Sequence, residues 1–176
     1  MMPKRKNNRV IVCDNFLNEN EWHYFSDMQN WFQRSPNTWM TFGQEPRNLY
    51  EQLSAKIWNW YDPNHECAGY EYWSNINNKS QGLDWHLDKD ENHLVKTDEL
   101  RLPRIGCTLY GPHTFLSGGY LEIEHEDGIE SVKSLPNRLI IFPAYSNHRV
   151  SEIREGQRFT FASNMWDVRI DLEEYK

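Results

Sequence analysis

The segment GLDWHLDKDE, residues 82–91, sets Asp84, His86 and Asp88 at alternate positions of a stretch whose pattern predicts a short strand. Neighbouring side chains of a strand point to opposite faces, so these three project together while Trp85 and Leu87 take the other side. An imidazole and a carboxylate two residues apart on one face can hold a single cation between them. Taken alone, the same trio also describes a solvated strand face, and Asp84 competes with Asp88 for the carboxylate role. What turns a surface into a site is a second histidine brought from a distant strand, with an apolar wall around both.

His148 is the candidate. It follows RLIIFPAYSN, a strongly apolar strand and turn, and opens a further strand, HRVSEI. Two histidines and one carboxylate leave three coordination positions open, the facial arrangement of non-heme Fe(II) oxygenases, where an organic co-substrate and dioxygen meet on one metal. Ten residues farther on stands Arg158, with Thr160 on the same strand face. A guanidinium inside a β-barrel is costly to bury without an anion, and a carboxylate offers it a bidentate, charge-assisted partner. His-x-Asp, a distant His and Arg-x-Thr together are far more specific than any one of them.

The elements that must position these side chains differ between the two parts of the chain. RVIVCDNF predicts an entry strand, with Asp14 and Asn15 able to cap the helix after it. Trp22, Phe25, Met28, Trp31 and Phe32 recur at three- and four-residue spacings and predict one amphipathic helix ending before Ser35 and Pro36. Leu49, Leu53, Ile57, Trp58 and Tyr61 predict a second helix over 49–61, terminated at YDPN. In both helices the aromatic residues read as core.

After residue 66 the spacing changes to short runs broken by Gly, Pro and Asn: CAGYEYWSNI, LDWHL, RIGCTLYG, GGYLEIE, GIESVK, RLIIFP, HRVSEI and QRFTFASNMW. These runs predict a mainly β protein with flanking N-terminal helices, and a jelly roll is the natural eight-stranded arrangement. No repeat, low-complexity tract or linker divides the chain. Residues 1–176 are therefore expected to form a single domain, with 1–65 supplying the entry strand and supporting helices and 66–170 the β core. The charged stretch 89–103, directly after His-x-Asp, is expected to be a solvated flap in a position to act as a lid.

At 176 residues the chain is long enough to bury a real core, and 14% aromatic residues against 38% hydrophobic put large rings in it. A net charge of −7 speaks against broad contact with phosphate backbones, so nucleic acid is not an expected partner. Lys4, Arg5, Lys6 and Arg9 read as a solvated terminus. Cys13, Cys67 and Cys107 are odd in number and lack CxxC spacing, which predicts a reducing compartment rather than a disulfide framework or a thiolate zinc site. VIVC, interrupted by Asp14, is too short for a signal segment or a membrane span, so the expectation is a soluble, cytoplasmic protein.

The stretch from His86 to Trp166 resembles the 2-oxoglutarate- and Fe(II)-dependent oxygenase superfamily, and within it the prolyl 4-hydroxylase and PKHD-type hydroxylase group. RIGCTLYGPHTFLSGGYLEIE and LPNRLIIFPAYSNHRVSEIREGQRF carry the similarity, and VIVCDNFLNENEW resembles the group's entry strand and helix. The resemblance implies a double-stranded β-helix with Fe(II) held by His86, Asp88 and His148 near one mouth. It further implies that Arg158 pairs with the distal carboxylate of 2-oxoglutarate, that Thr160 and Tyr110 add contacts, and that O2 is the oxidant, with ascorbate an optional reductant. The implied outcome is hydroxylation of a C–H bond in a peptidyl residue, proline included, or in a small metabolite.

Asp88, where a glycine or alanine would open a halide position, favours hydroxylation over halogenation. Trp166 and Tyr145 are candidates for stacking on substrate at the mouth. His93, His113 and His125 read as surface or loop histidines, and Asp90 and Glu91 as solvated charges able to attract a cationic substrate. Two rival readings are a non-catalytic cupin-like barrel and a metal enzyme of the isomerase or cysteine-dioxygenase type; neither requires Arg158.

Overall fold

In the computed structural model, which describes residues 10–31 and 35–172, twelve strands and three α-helices follow one another. Phe32 and the basic residues Lys4, Arg5, Lys6 and Arg9 lie outside the described residues. The chain enters through β1 (Ile11–Cys13), α1 (Glu19–Phe25), a 3-10 turn (Met28–Trp31), β2 (Thr38–Thr41) and α2 (Leu49–Tyr61). The β core then comprises β3 (Gly69–Asn77), β4 (Leu83–His86), α3 (Glu91–Thr97), β5 (Ile105–Tyr110), β6 (Leu116–Gly118), β7 (Leu121–His125) and β8 (Gly128–Val132). It closes with β9 (Leu139–Pro143), β10 (His148–Val150), β11 (Ile153–Gly156) and β12 (Arg158–Trp166).

A six-stranded antiparallel sheet runs β1-β9-β5-β12-β3-β2, a four-stranded sheet runs β4-β10-β7-β8, and β11 pairs with β6. The two larger sheets pack across Tyr110, Ile140 and Phe142 on one side and Leu121, Ile123 and Val132 on the other. This is the mainly β jelly roll, or double-stranded β-helix, predicted from strand pattern.

β12 shows why the large sheet forms as it does. All nine of its residues are buried, because both faces are covered. Phe159, Phe161 and Met165 join Leu53, Ile57 and Trp58 of α2 in the larger hydrophobic cluster. On that face Ser163 accepts a hydrogen bond from Trp58 Nε1 at 3.1 Å, so the indole is buried with its polar atom satisfied. Alternation sends Arg158, Thr160, Ala162, Asn164 and Trp166 to the interior between the sheets.

Several expectations are corrected. The predicted helix from Trp22 to Phe32 stops at Phe25. Asp27 accepts from the Gln29 N–H and Asn30 donates to the Tyr24 carbonyl, and these side chains compete with helical hydrogen bonds. The rings still meet, Phe25 and Trp31 edge to face at 5.1 Å. Asn18, not Asp14 or Asn15, caps α1, through a reciprocal capping box with Glu21; Asp14 instead pairs with Arg138. HRVSEI divides into β10 and β11, each paired to a different strand, and β2 and β6 are too short to show a period. The charged stretch 89–103 is non-strand and largely solvent-accessible, as expected, and holds α3. Asp90, expected to be solvated, is buried and caps α3 by accepting from the His93 N–H.

Candidate metal centre

His86 ends β4 and His148 begins β10, and the antiparallel register makes them direct partners with ring centroids 4.3 Å apart. Asp88 lies two residues beyond the end of β4 and turns back toward both rings. Its Oδ1 stands 3.7 Å from His86 Nε2 and 3.9 Å from His148 Nε2. One ligand atom from each of the three residues lies within 4.8 Å of the others. Asp84, the competing carboxylate, is outside this cluster and accepts from the Trp85 N–H.

Backbone carbonyls set the tautomers. His86 Nδ1 donates to the Asp84 carbonyl at 2.8 Å and His148 Nδ1 donates to the Ser146 carbonyl at 3.1 Å, leaving the Nε2 lone pairs facing Asp88. Burial pushes the His148 imidazole below its ordinary pKa, partly opposed by Asp88, while Phe142 packs edge to face on the ring at 4.9 Å. Two imine nitrogens and a carboxylate oxygen thus converge on one point. Mutually repelling lone pairs in that arrangement suit a divalent cation, and the donor set suits a non-heme Fe(II).

Arg158 lies in the same interior, 3% exposed. Its partners are neutral oxygens at long range: Ser134 Oγ at 3.4 Å, Asn77 Oδ1 at 3.3 Å and Thr160 Oγ1 at 3.5 Å. The guanidinium sits over the Tyr110 ring at 5.2 Å, and the Tyr110 hydroxyl is buried without a hydrogen-bond partner. A buried cation with weak neutral partners, beside an unsatisfied hydroxyl, fits a small anion. One cavity of about 60 Å³ is lined by His86, Asp88, His148, Arg158 and Thr160 together.

The aromatic candidates separate. Trp166 is 1% exposed and donates its indole N–H to Glu71 Oε2 at 3.2 Å, so it has no free face on which a substrate could stack. Tyr145 is 53% exposed and borders an open groove of about 1170 Å³ shared with Leu87 and the carboxylates of Glu124, Glu126, Asp127 and Glu130. His93, His113 and His125 are partly buried and lie outside the cluster; they meet Glu99, the Ser134 carbonyl and Glu130 respectively.

Two residues behind Asp88 were not singled out in the sequence. Asn164 donates to Asp88 Oδ2 at 3.0 Å and to Glu71 Oε2 at 3.5 Å, and Glu71 also accepts from Asn37 at 2.6 Å. Burial, reinforced by Asp88, pushes the Glu71 carboxyl up to about 7. The available signals were the place of Asn164 in the alternation that begins at Arg158 and a lone carboxylate inside the aromatic run GYEYW.

Comparison with known proteins bears on this geometry. No family model matches the chain. A PKHD-type hydroxylase of Acinetobacter baylyi is 28% identical over 132 residues, 70% of this chain and 56% of that protein. The chain is thus similar in sequence to a PKHD-type hydroxylase. It spans little more than half the length of that hydroxylase. The fold is shared with solved structures. A prolyl-4-hydroxylase from Pseudomonas putida superposes with a TM-score of 0.69 at 14% identity, covering 92% of this chain and 94% of that one. An oxidoreductase of the 2OG-Fe(II) oxygenase family from Burkholderia pseudomallei gives 0.64 at 10% identity, covering 94% and 89%.

Proposed function

We propose that this PKHD-type relative is a 2-oxoglutarate- and Fe(II)-dependent dioxygenase that hydroxylates a C–H bond of a peptidyl residue or a small metabolite. The observation that carries the reading is the shared cavity, in which the His86, Asp88 and His148 donors and the Arg158 guanidinium line one space. His86, Asp88 and His148 would hold Fe(II). When bound, that ion would supply dioxygen activation coupled to decarboxylation of 2-oxoglutarate to succinate and CO2.

The chain's own contribution is ligation, orientation and exclusion of water. Arg158 would take the distal carboxylate in a charge-assisted pair, and Thr160 and the unsatisfied Tyr110 hydroxyl would add hydrogen bonds. Phe142 and Ala162 line the same cavity and keep its dielectric low, which strengthens that pair. Substrate would approach along the open groove bordered by Leu87 and Tyr145. A non-catalytic barrel would leave the neutral surroundings of Arg158 without a purpose.

The reading treats residues 1–176 as a single domain, supported by the core that α2 shares with the large sheet. A cytoplasmic setting belongs to the same proposal and is supported by three free cysteines. No described helix is long and apolar enough to cross a membrane.

The test is anaerobic addition of Fe(II) and 2-oxoglutarate, which should produce a weak visible charge-transfer band that His86→Ala lacks. Wild-type protein with bound iron and no such band would exclude the co-substrate. Succinate release measured with proline peptides, free amino acids and nucleotides would then sort the substrate class.

A further inference from the structure

Asp88 has two carboxylate oxygens in different company. Oδ1 faces the two histidine Nε2 atoms, at 3.7 and 3.9 Å, whereas Oδ2 accepts the Asn164 carboxamide N–H at 3.0 Å. Asp88 stands outside any strand ladder, so backbone pairing does not fix its side chain. Asn164, in contrast, is 1% exposed on the central strand and is itself held on two sides. Its direct cross-strand partner is Glu71, whose Oε2 shares the same carboxamide nitrogen at 3.5 Å. Its Oδ1 occupies the space left by Gly106 on the other neighbouring strand, where an added Cβ would lie 2.7 Å from that oxygen.

We propose that Asn164 is a positioning residue that restricts Asp88 to offering a single oxygen to the metal, with Glu71 and the gap at Gly106 fixing the carboxamide. This rests on Asp88 being a metal ligand. A carboxylate with both oxygens free can chelate and take up two coordination positions, whereas one with its second oxygen engaged takes up one. The Asn164 hydrogen bond thereby keeps a position open for a co-substrate, and it orients Oδ1 before any ion arrives. Partners behind metal ligands typically contribute about 10–100-fold to metal affinity.

The experiment is titration of the apo protein with Co(II), reading both affinity and the visible ligand-field spectrum, alongside the apo melting temperature. Asn164→Ala should weaken Co(II) binding by about 10–100-fold and change the spectrum, because the freed carboxylate rotates or chelates. Gly106→Ala keeps every polar group but crowds the carboxamide, and should shift both readouts in the same direction; it carries the test if Asn164→Ala does not fold. A wild-type protein that binds no Co(II) would overturn the metal-centre reading itself. Wild-type binding matched in affinity and spectrum by the variants, whatever their melting temperatures, would confine Asn164 to packing and overturn only this proposal.

Discussion

His86 and His148 face each other as direct partners in the β4–β10 ladder, with ring centroids 4.3 Å apart. Two donors on adjacent paired strands share one rigid frame, so neither can retreat without breaking the ladder. His148→Ala is expected to weaken Fe(II) or Co(II) binding by more than about 100-fold, with His86→Ala similar, since under the proposed function each removes one of three ligands from an otherwise intact site. Calorimetric titration beside a melting curve checks this. Wild-type affinity in a folded His148→Ala protein would move the metal elsewhere.

Arg158 should matter to the co-substrate and not to the ion. Hydrogen bonds to a charged group contribute about 1.5–3 kcal/mol, so Arg158→Ala should weaken 2-oxoglutarate by about 10–100-fold while leaving Fe(II) affinity within a few-fold. Arg158→Lys should recover only part, because an ammonium lacks the planar fork. Equal losses for metal and 2-oxoglutarate would instead indicate a folding defect.

Gly119 links the double-glycine turn to this pocket. It adopts φ +66°, its carbonyl accepts from Ser134 Oγ at 2.7 Å, and an added Cβ would stand 3.2 Å from Arg158 Cδ. Gly119→Ala should therefore destabilise the protein by about 1–2 kcal/mol through left-handed strain and also displace the guanidinium. Denaturant unfolding and 2-oxoglutarate titration should both report a loss. A stability loss with unchanged 2-oxoglutarate affinity would sever the turn from the pocket.

Glu71 gives a pH dependence of known sign. Its carboxyl is raised from the ordinary value to about 7, so the folded state keeps a proton that the unfolded state releases. The stability this contributes is full below the ordinary carboxyl range and is lost as pH rises through about 7. The loss amounts to up to about 3 kcal/mol between pH 5 and 8 in the apo protein. Glu71→Gln should flatten that fall. Urea unfolding of both proteins at pH 5 and pH 8 measures it, and parallel slopes would mean that the Glu71 carboxylate is held ionised.

Local pattern in the sequence determined α2 almost to the residue, because Leu53, Ile57 and Trp58 repeat at helical spacing over a whole buried face. It determined the strands of the β core, and with them the jelly roll, because alternation states which residues of one strand share a face. The same alternation put Arg158 and Thr160 together. It overextended α1, where short polar side chains diverted the backbone, and it missed β2 and β6, which carry too little period to detect.

Only the tertiary structure decided which residues lie across from one another. That His148 faces His86 and that Asn164 faces Glu71 depend on hydrogen-bond register between strands distant in the chain, while Asp88 rather than Asp84 joins the cluster because the chain turns back toward both rings beyond the end of β4. Register is a non-local quantity: a slip of one residue would send every side chain of β12 to the opposite face. The burial of Trp166 against Glu71 has the same origin, since an aromatic residue at a strand end becomes mouth or core according to the elements packed over it.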